Sequence, residues 1–202
     1  MDPSDTYTRL ASRLLPLDET RRAPLTRDAA PRGLRPAGVL VPIVERPDGP
    51  SVLFTLRAKS LTKHAGQIAF PGGRADPGDT DIVATALRET REETGIGDAF
   101  ITPVGGLEPV ESVTGFLMFP VVAVLREGFT AVANPGEVDA IFEAPLAFVT
   151  DAANQIRKSG TFAGTARDYY SITFDGYDIW GATARILVNL GRRLTTYSEI
   201  PE

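Results

Sequence analysis

Apolar positions dominate residues 37–58 in a way that predicts β-structure. Ala37 to Glu45 reads AGVLVPIVE and Ser51 to Ala58 reads SVLFTLRA, with Pro47-Asp48-Gly49-Pro50 between them, the pattern of a hairpin. A short strand over Gly66 to Phe70 runs into Pro71-Gly72-Gly73. The period then changes to a helical one over Asp79 to Thr94, which Gly95 stops. Further strands are predicted over 101–107 and 116–125. The second contains Pro120, which a strand tolerates at an edge or a bulge. Val138 to Val149 returns to the core, the polar stretch 151–168 reads as an excursion, and Tyr169 to Phe174 pairs with Tyr177 to Trp180 around Asp175-Gly176. Gly181 to Leu194 closes as an amphipathic helix carrying Ala184, Leu187, Val188, Leu190 and Leu194. Ahead of the first strand, residues 5–15 predict a short helix (Leu10, Leu14, Leu15), and Pro16, Pro24, Pro31 and Pro36 break regular structure. Residues 1–35 are therefore expected as an N-terminal arm on one domain over 36–202. Mixed strands with two substantial helices predict an α+β fold or an α/β/α sandwich.

A chain of 202 residues that is 43% hydrophobic and 23% charged can bury one sizeable core. With 21 Lys+Arg against 26 Asp+Glu the net charge is −5, which argues against a partner bound by general phosphate neutralisation, nucleic acid above all. A small anionic substrate in a locally basic pocket is still allowed. The absence of cysteine excludes disulfides, thiolate zinc sites, iron–sulfur clusters and a Cys nucleophile, and a single histidine, His64, excludes a His-rich metal site. Any metal must sit on carboxylates. No apolar run approaches the ~20 residues of a membrane span, and MDPSDTYTRL lacks a signal pattern. Glu199-Ile200-Pro201-Glu202 is no peroxisomal address, so a cytoplasmic protein without membrane partner is expected. Oligomeric state is not legible; a homodimer is one possibility.

The unusual stretch is Gly72-Gly73-Arg74-Ala75-Asp76-Pro77-Gly78-Asp79 followed by Leu87-Arg88-Glu89-Thr90-Arg91-Glu92-Glu93-Thr94-Gly95-Ile96. Positions i, i+3 and i+4 share a helix face, so Glu89, Glu92 and Glu93 stand together. Like charges at that spacing destabilise an isolated helix by roughly 0.2–0.5 kcal/mol each, and the nearby C-terminus disfavours anions further. One account is a solvated charged face with Arg88–Glu92 as an ordinary i,i+4 pair. The other is a hard divalent cation, Mg²⁺ or Mn²⁺, which prefers carboxylate oxygen. The Gly-Gly loop ahead of the helix favours the second, because backbone amides there can approach an anion that a Cβ would obstruct.

Gly73 to Ile96 resembles the signature of the Nudix hydrolases, G-x5-E-x7-R-E-U-x-E-E-x-G-U with U bulky and apolar. Arg88-Glu89, Glu92-Glu93 and Gly95-Ile96 match, with Thr90 at the first U. The first acid is Asp79 instead of Glu, with eight residues instead of seven between it and Arg88, so the metal ligands the resemblance implies are Glu89, Glu92 and Glu93. It also implies that Arg88 positions the glutamates by pairing with them, and a Nudix-type α/β/α sandwich with a mixed β-sheet. Upstream, Leu53-Phe54-Thr55-Leu56-Arg57-Ala58, Gly66 and Phe70-Pro71-Gly72-Gly73 resemble the motif L-L-T-x-R-[SA]-x3-R-x3-G-x3-F-P-G-G of the coenzyme A diphosphatase subfamily. That subfamily commonly shows the displaced first acid seen here. The motif's second arginine falls on Thr62, with Lys63 next to it. Lys63-His64-Ala65-Gly66-Gln67, Glu137-Val138 and Ile179 to Ala184 are similar to the same subfamily.

The resemblance implies water attack on the diphosphate of coenzyme A, giving 4′-phosphopantetheine and adenosine 3′,5′-bisphosphate. Arg57, Lys63, His64, Gly72, Gly73 and Arg74 are the expected substrate-binding residues, cations and backbone suited to several phosphates. Arg57 and Lys59 could equally be solubilising charges on an edge strand. Trp180 is read as a core residue, and Tyr169 and Tyr170 have no assigned place. The general base could be Glu92, Glu93, or a later carboxylate such as Glu111 or Glu137. Two further readings stay open: a Nudix hydrolase of another nucleotide such as ADP-ribose, and a module that binds a nucleotide without cleaving it.

Overall fold

The structure is a computed structural model that describes residues 3–162 and 164–196. The Glu199–Glu202 terminus lies outside the described residues. Two helices, α1 (Pro3–Ala11) and α2 (Leu17–Arg21), precede strand β1 (Arg35–Val44). There follow β2 (Ser51–Arg57), β3 (Ile68–Ala69), β4 (Gly72–Arg74), helix α3 (Ile82–Thr94), β5 (Ile101–Gly106), β6 (Val110–Glu111), β7 (Phe116–Leu125), β8 (Val138–Pro145) and α4 (Leu146–Thr150). The chain continues through β9 (Ile156–Phe162), β10 (Thr165–Phe174), β11 (Tyr177–Trp180) and helix α5 (Gly181–Thr196). The fold is α+β, with a mixed eight-stranded sheet whose β1 and β7 run parallel over their whole length and whose other pairs are antiparallel.

β1 is buried on both faces, which explains its near-continuous apolar run. Leu40 and Val44 join Ile82, Val83 and Ala86 of α3 on one face, and Val39, Val41 and Ile43 join Ile186, Leu187 and Leu190 of α5 on the other. The sheet thus lies between helical layers, an α/β/α sandwich. Leu10 and Leu14 belong to the α5-side core, and Leu15 exchanges both backbone hydrogen bonds with Gly106 at 3.0 and 2.9 Å, so the segment before β1 is packed onto the sheet.

β1 and β2 pair only at Ile43–Val52 and Val44–Ser51, then splay apart. The gap is filled by 68–74: β3 pairs with β2, β4 pairs with β1 at 37–39, and Leu40 donates to the Pro71 carbonyl at 2.9 Å. Gly72, at φ 159, lies so close to Gly38 and Val39 that a Cβ would come within 2.6 Å of a backbone oxygen. The Pro-Gly-Gly sequence is therefore a wedge between strands, a place where only glycine lets two backbones meet.

Two strand expectations are corrected. Pro120 lies in the centre of the sheet, not at an edge. Its carbonyl accepts from Leu107 N–H at 3.1 Å, and the side on which its own N–H is missing is where the neighbour changes from β5 to β6. The polar stretch 151–168 is not an excursion: it supplies β9 and the first half of β10, which with β11 make a separate three-stranded antiparallel sheet. Both faces of β9 are largely exposed, so no alternation marked it.

Candidate active site

α3 sits where it does because β1 carries a glycine. A Cβ on Gly38 would lie 2.5 Å from the Ile82 carbonyl oxygen and 2.8 Å from the Ala86 nitrogen, so the first turns of the helix rest directly on the strand. The helix begins three residues later than its periodicity suggests, because Asp81 is the N-cap, accepting from Ala84 N–H at 2.8 Å. Gly95, at φ 69, ends it in the left-handed region.

Asp79 is thus in the preceding turn, and its carboxylate is taken up by Arg88. Nε and Nη2 of Arg88 donate to its two oxygens at 3.0 Å each, while Thr85 Oγ1 and Asp76 N–H donate to Oδ2 at 2.8 and 2.9 Å. The Arg88 pair holds the Asp79 carboxyl down at about 2. Nη1 of Arg88 turns the other way, to Glu89 Oε1 at 2.8 Å and Glu92 Oε2 at 3.0 Å. One guanidinium therefore ties the loop before the helix to two glutamates of its face.

The three glutamates differ sharply. Glu92 is half exposed and lies on Arg88. Glu89 is mostly buried, its carboxyl pushed upward by that burial against the pull of Arg88. It fills the space beside β4: a Cβ on Gly73 would stand 2.5 Å from its carboxylate. Glu93 is only 2% exposed, and burial pushes its carboxyl up to about 8, against Arg57 and aided by Glu89 and Glu137. Arg57 Nη1 lies 3.9 Å from Glu93 Oε1, while Glu93 Oε2 and Arg57 Nε are buried with no partner. The fold thus brings Glu89, Glu93 and Arg57 together behind the Gly72-Gly73 wedge, with Glu137 near enough to act on both carboxyls.

Among the described residues no three His, Cys, Asp or Glu side chains are already grouped to hold a metal ion, as Glu89 and Glu92 are turned onto Arg88. The donors nonetheless fit a hard divalent cation: carboxylate oxygens of like charge crowd one another, and one of them, Glu93 Oε2, is buried and orphaned.

The other side of the wedge opens into a cleft of about 1570 Å³, between the main sheet, α5 and the β9–β11 sheet. Arg57, His64, Gly72, Gly73 and Arg74 line it. His64 Nδ1 lies 2.8 Å from Gln67 Oε1. Lys63 is exposed on the turn before His64 and outside this lining. Of the later carboxylates, Glu111 is exposed at the cleft rim and paired with Arg32, while Glu137 is the one beside Glu89 and Glu93. Trp180 is not a core residue: it is half-buried on the cleft wall with Phe162 and with Tyr169, one of the two tyrosines without an assigned place in the sequence. The available signal was the aromatic content of the hairpin, hidden by the polar residues around it.

A sequence model described as the NUDIX domain matches residues 34–159. Proteins described as uncharacterized Nudix hydrolase NudL, from Salmonella paratyphi B (strain ATCC BAA-1250 / SPB7) and Salmonella newport (strain SL254), are each 40% identical over 160 residues, covering 79% of this chain and 83% of the relative. Among solved structures, a C. elegans Ap4A hydrolase binary complex aligns with TM-score 0.48 at 22% identity over 55% of this chain and 80% of that one. The MutT protein of Methanosarcina mazei Go1 aligns with TM-score 0.49 at 16% identity over 82% and 96%.

Proposed function

The chain belongs to the Nudix hydrolase family, enzymes acting on nucleoside diphosphate derivatives, and from that premise we propose that its substrate is coenzyme A. Hydrolysis adds water across the diphosphate: a new P–O bond forms as the bridging P–O bond breaks. The products are 4′-phosphopantetheine and adenosine 3′,5′-bisphosphate. The observation that carries this reading is the meeting of Arg57, from the upstream motif, with Glu93, from the acidic helix, at 3.9 Å with an unpartnered buried atom on each. In this reading the two motifs, separated in sequence, contribute to one site, with Arg57 on the cleft side.

Glu89, Glu92 and Glu93 would hold Mg²⁺ or Mn²⁺. When bound, such ions neutralise phosphate charge and lower the pKa of a coordinated water. Arg88 is a positioning residue, joining Asp79 to Glu89 and Glu92. Arg57 and Arg74 supply charge to non-bridging phosphate oxygens, and the Gly72-Gly73 backbone lets the diphosphate approach without meeting a Cβ. We assign His64 to a substrate hydrogen bond and Lys63 to the phosphate contact that the motif's second arginine would make at Thr62.

The test is a product assay with coenzyme A and ADP-ribose in parallel, with Mg²⁺, with Mn²⁺ and with chelator. Metal-dependent release of 4′-phosphopantetheine with ADP-ribose a poor substrate is the expected result. Cleavage of ADP-ribose alone would overturn the substrate while leaving the reaction class. Binding of either compound without cleavage would make the chain a nucleotide-binding module.

A further inference from the structure

One face of the β9–β11 sheet carries more aromatic surface than its position needs. The register places Phe162, Gly160 and Lys158 of β9 opposite Thr165, Arg167 and Tyr169 of β10, with Trp180 of β11 opposite Ser171. Directly opposed residues share a face, so Phe162, Tyr169, Trp180 and Arg167 lie on one side. Phe162 and Trp180 are stacked with 6.0 Å between centroids and 20° between planes. Tyr169 stands edge-on to both, at 6.0 and 5.8 Å. Gly160 keeps this arrangement open: its added Cβ would lie 3.3 Å from Tyr169 Cε1 and 3.7 Å from Phe162 Cε2. All three rings are half-buried and line the cleft.

Arg167 gives the platform a charge. It is exposed, lines the same cleft and forms no ion pair with any carboxylate among the described residues, unlike Arg157, which pairs with Asp168 on the opposite face. Its cross-strand neighbour is Gly160, so nothing beside it covers the guanidinium. Arg167 and Tyr169 are two positions apart along β10, a rise of about 7 Å. An aromatic cluster on the cleft wall with an uncommitted cation at that distance suits a nucleobase whose own ribose carries a phosphate. An acyl or pantetheine chain would leave both the ring faces and the guanidinium poorly used. The cleft is also larger than the ~300–1000 Å³ of ordinary ligand pockets, as a substrate with two arms about a central diphosphate requires.

We propose that the face formed by Phe162, Tyr169 and Trp180 stacks the base of the substrate's nucleotide arm while Arg167 holds that arm's ribose phosphate, so that this sheet sets substrate preference. The proposal rests on the coenzyme A reading above, and its test does not depend on turnover. Trp180 is the protein's one tryptophan, so its fluorescence reports on the platform directly. In chelator, adenosine 3′,5′-bisphosphate is expected to quench it saturably, whereas inorganic phosphate and 4′-phosphopantetheine leave it unchanged. Phe162→Leu and Arg167→Gln, both keeping the reporter, should each weaken bisphosphate binding about tenfold, the size of one lost stack or one lost charged contact. Arg167 is exposed, so its variant tests the proposal even if Phe162→Leu fails to fold. Absence of quenching, equal quenching by 4′-phosphopantetheine, or wild-type affinity in the Arg167→Gln protein would overturn the proposal. Cleavage of coenzyme A without bisphosphate quenching would reject the platform and leave the reaction standing. Quenching without cleavage of any diphosphate would support the platform and reject the reaction.

Discussion

Replacing Asp79 by Asn isolates the clamp that holds the acidic helix to its loop. The substitution keeps shape and one carbonyl oxygen but removes the charge that meets Nε and Nη2 of Arg88. The Asp79 side chain is only 6% exposed, so solvent screens this pair little. Lowering its carboxyl from 3.8 to about 2 corresponds to about 2 kcal/mol of native-state stabilisation at neutral pH. A depressed acid stabilises the fold fully above its unfolded pKa and ceases to do so as pH falls through the folded value. The difference between wild type and Asp79→Asn should therefore be about 2 kcal/mol near pH 7, roughly half of that near pH 3, and close to nothing below about pH 2. Urea unfolding of the two proteins across that range measures it. A difference that stays constant on acidification, or grows, would show that the ionised carboxylate is not what secures Arg88. Because Asp79 bonds none of the three glutamates and reaches them only through Arg88, turnover should fall by about tenfold, the low end for a group that orients ligands.

Glu93→Gln should lose at least ~10²-fold in turnover. In chelator it should fold at neutral pH with stability equal to or above wild type, because the buried carboxyl, raised to about 8, must take up a proton on folding at that pH and the amide need not; near-full activity would take the helix out of the mechanism. Gly73→Ala places a methyl 2.5 Å from the Glu89 carboxylate, which must swing away; a loss of about tenfold or more in turnover with an unchanged urea midpoint is expected, and unchanged turnover would show that the Glu89 position is immaterial. Gly38→Ala meets backbone instead of a side-chain tip, at the Ile82 carbonyl and the Ala86 nitrogen. It should destabilise by roughly 1–3 kcal/mol or more, and a neutral result would contradict the packing of α3 on β1. Chelator should abolish diphosphate cleavage and Mg²⁺ or Mn²⁺ restore it; chelator-resistant turnover would refute the carboxylate assignment.

What could be read from the chain was whatever its neighbours in sequence determine. The period and Gly95 stop of α3, the apolar runs of β1 and β2 and the amphipathic stripe of α5 are local signals, and each element formed close to where they put it. Where a partner arrives from far along the chain the signal fails. Pro120 occupies a central strand because the neighbouring strand happens to break beside it, and β9 has a strand's backbone with neither face buried. The site divides the same way. Arg88 with Glu89 and Glu92 is a matter of helix spacing, but the capture of Asp79 needed the turn geometry set by the Asp81 cap, and the approach of Arg57 needed the sheet to splay. Glu93 is the instructive case. Helical spacing alone groups it with Glu89 and Glu92 as surface charge, yet the same spacing also puts it three residues after Thr90 and seven after Ala86, both fully buried. The sequence therefore held two statements about Glu93, one acidic and one apolar. A carboxylate on the apolar stripe, with like charges beside it, is the residue most in need of a cation.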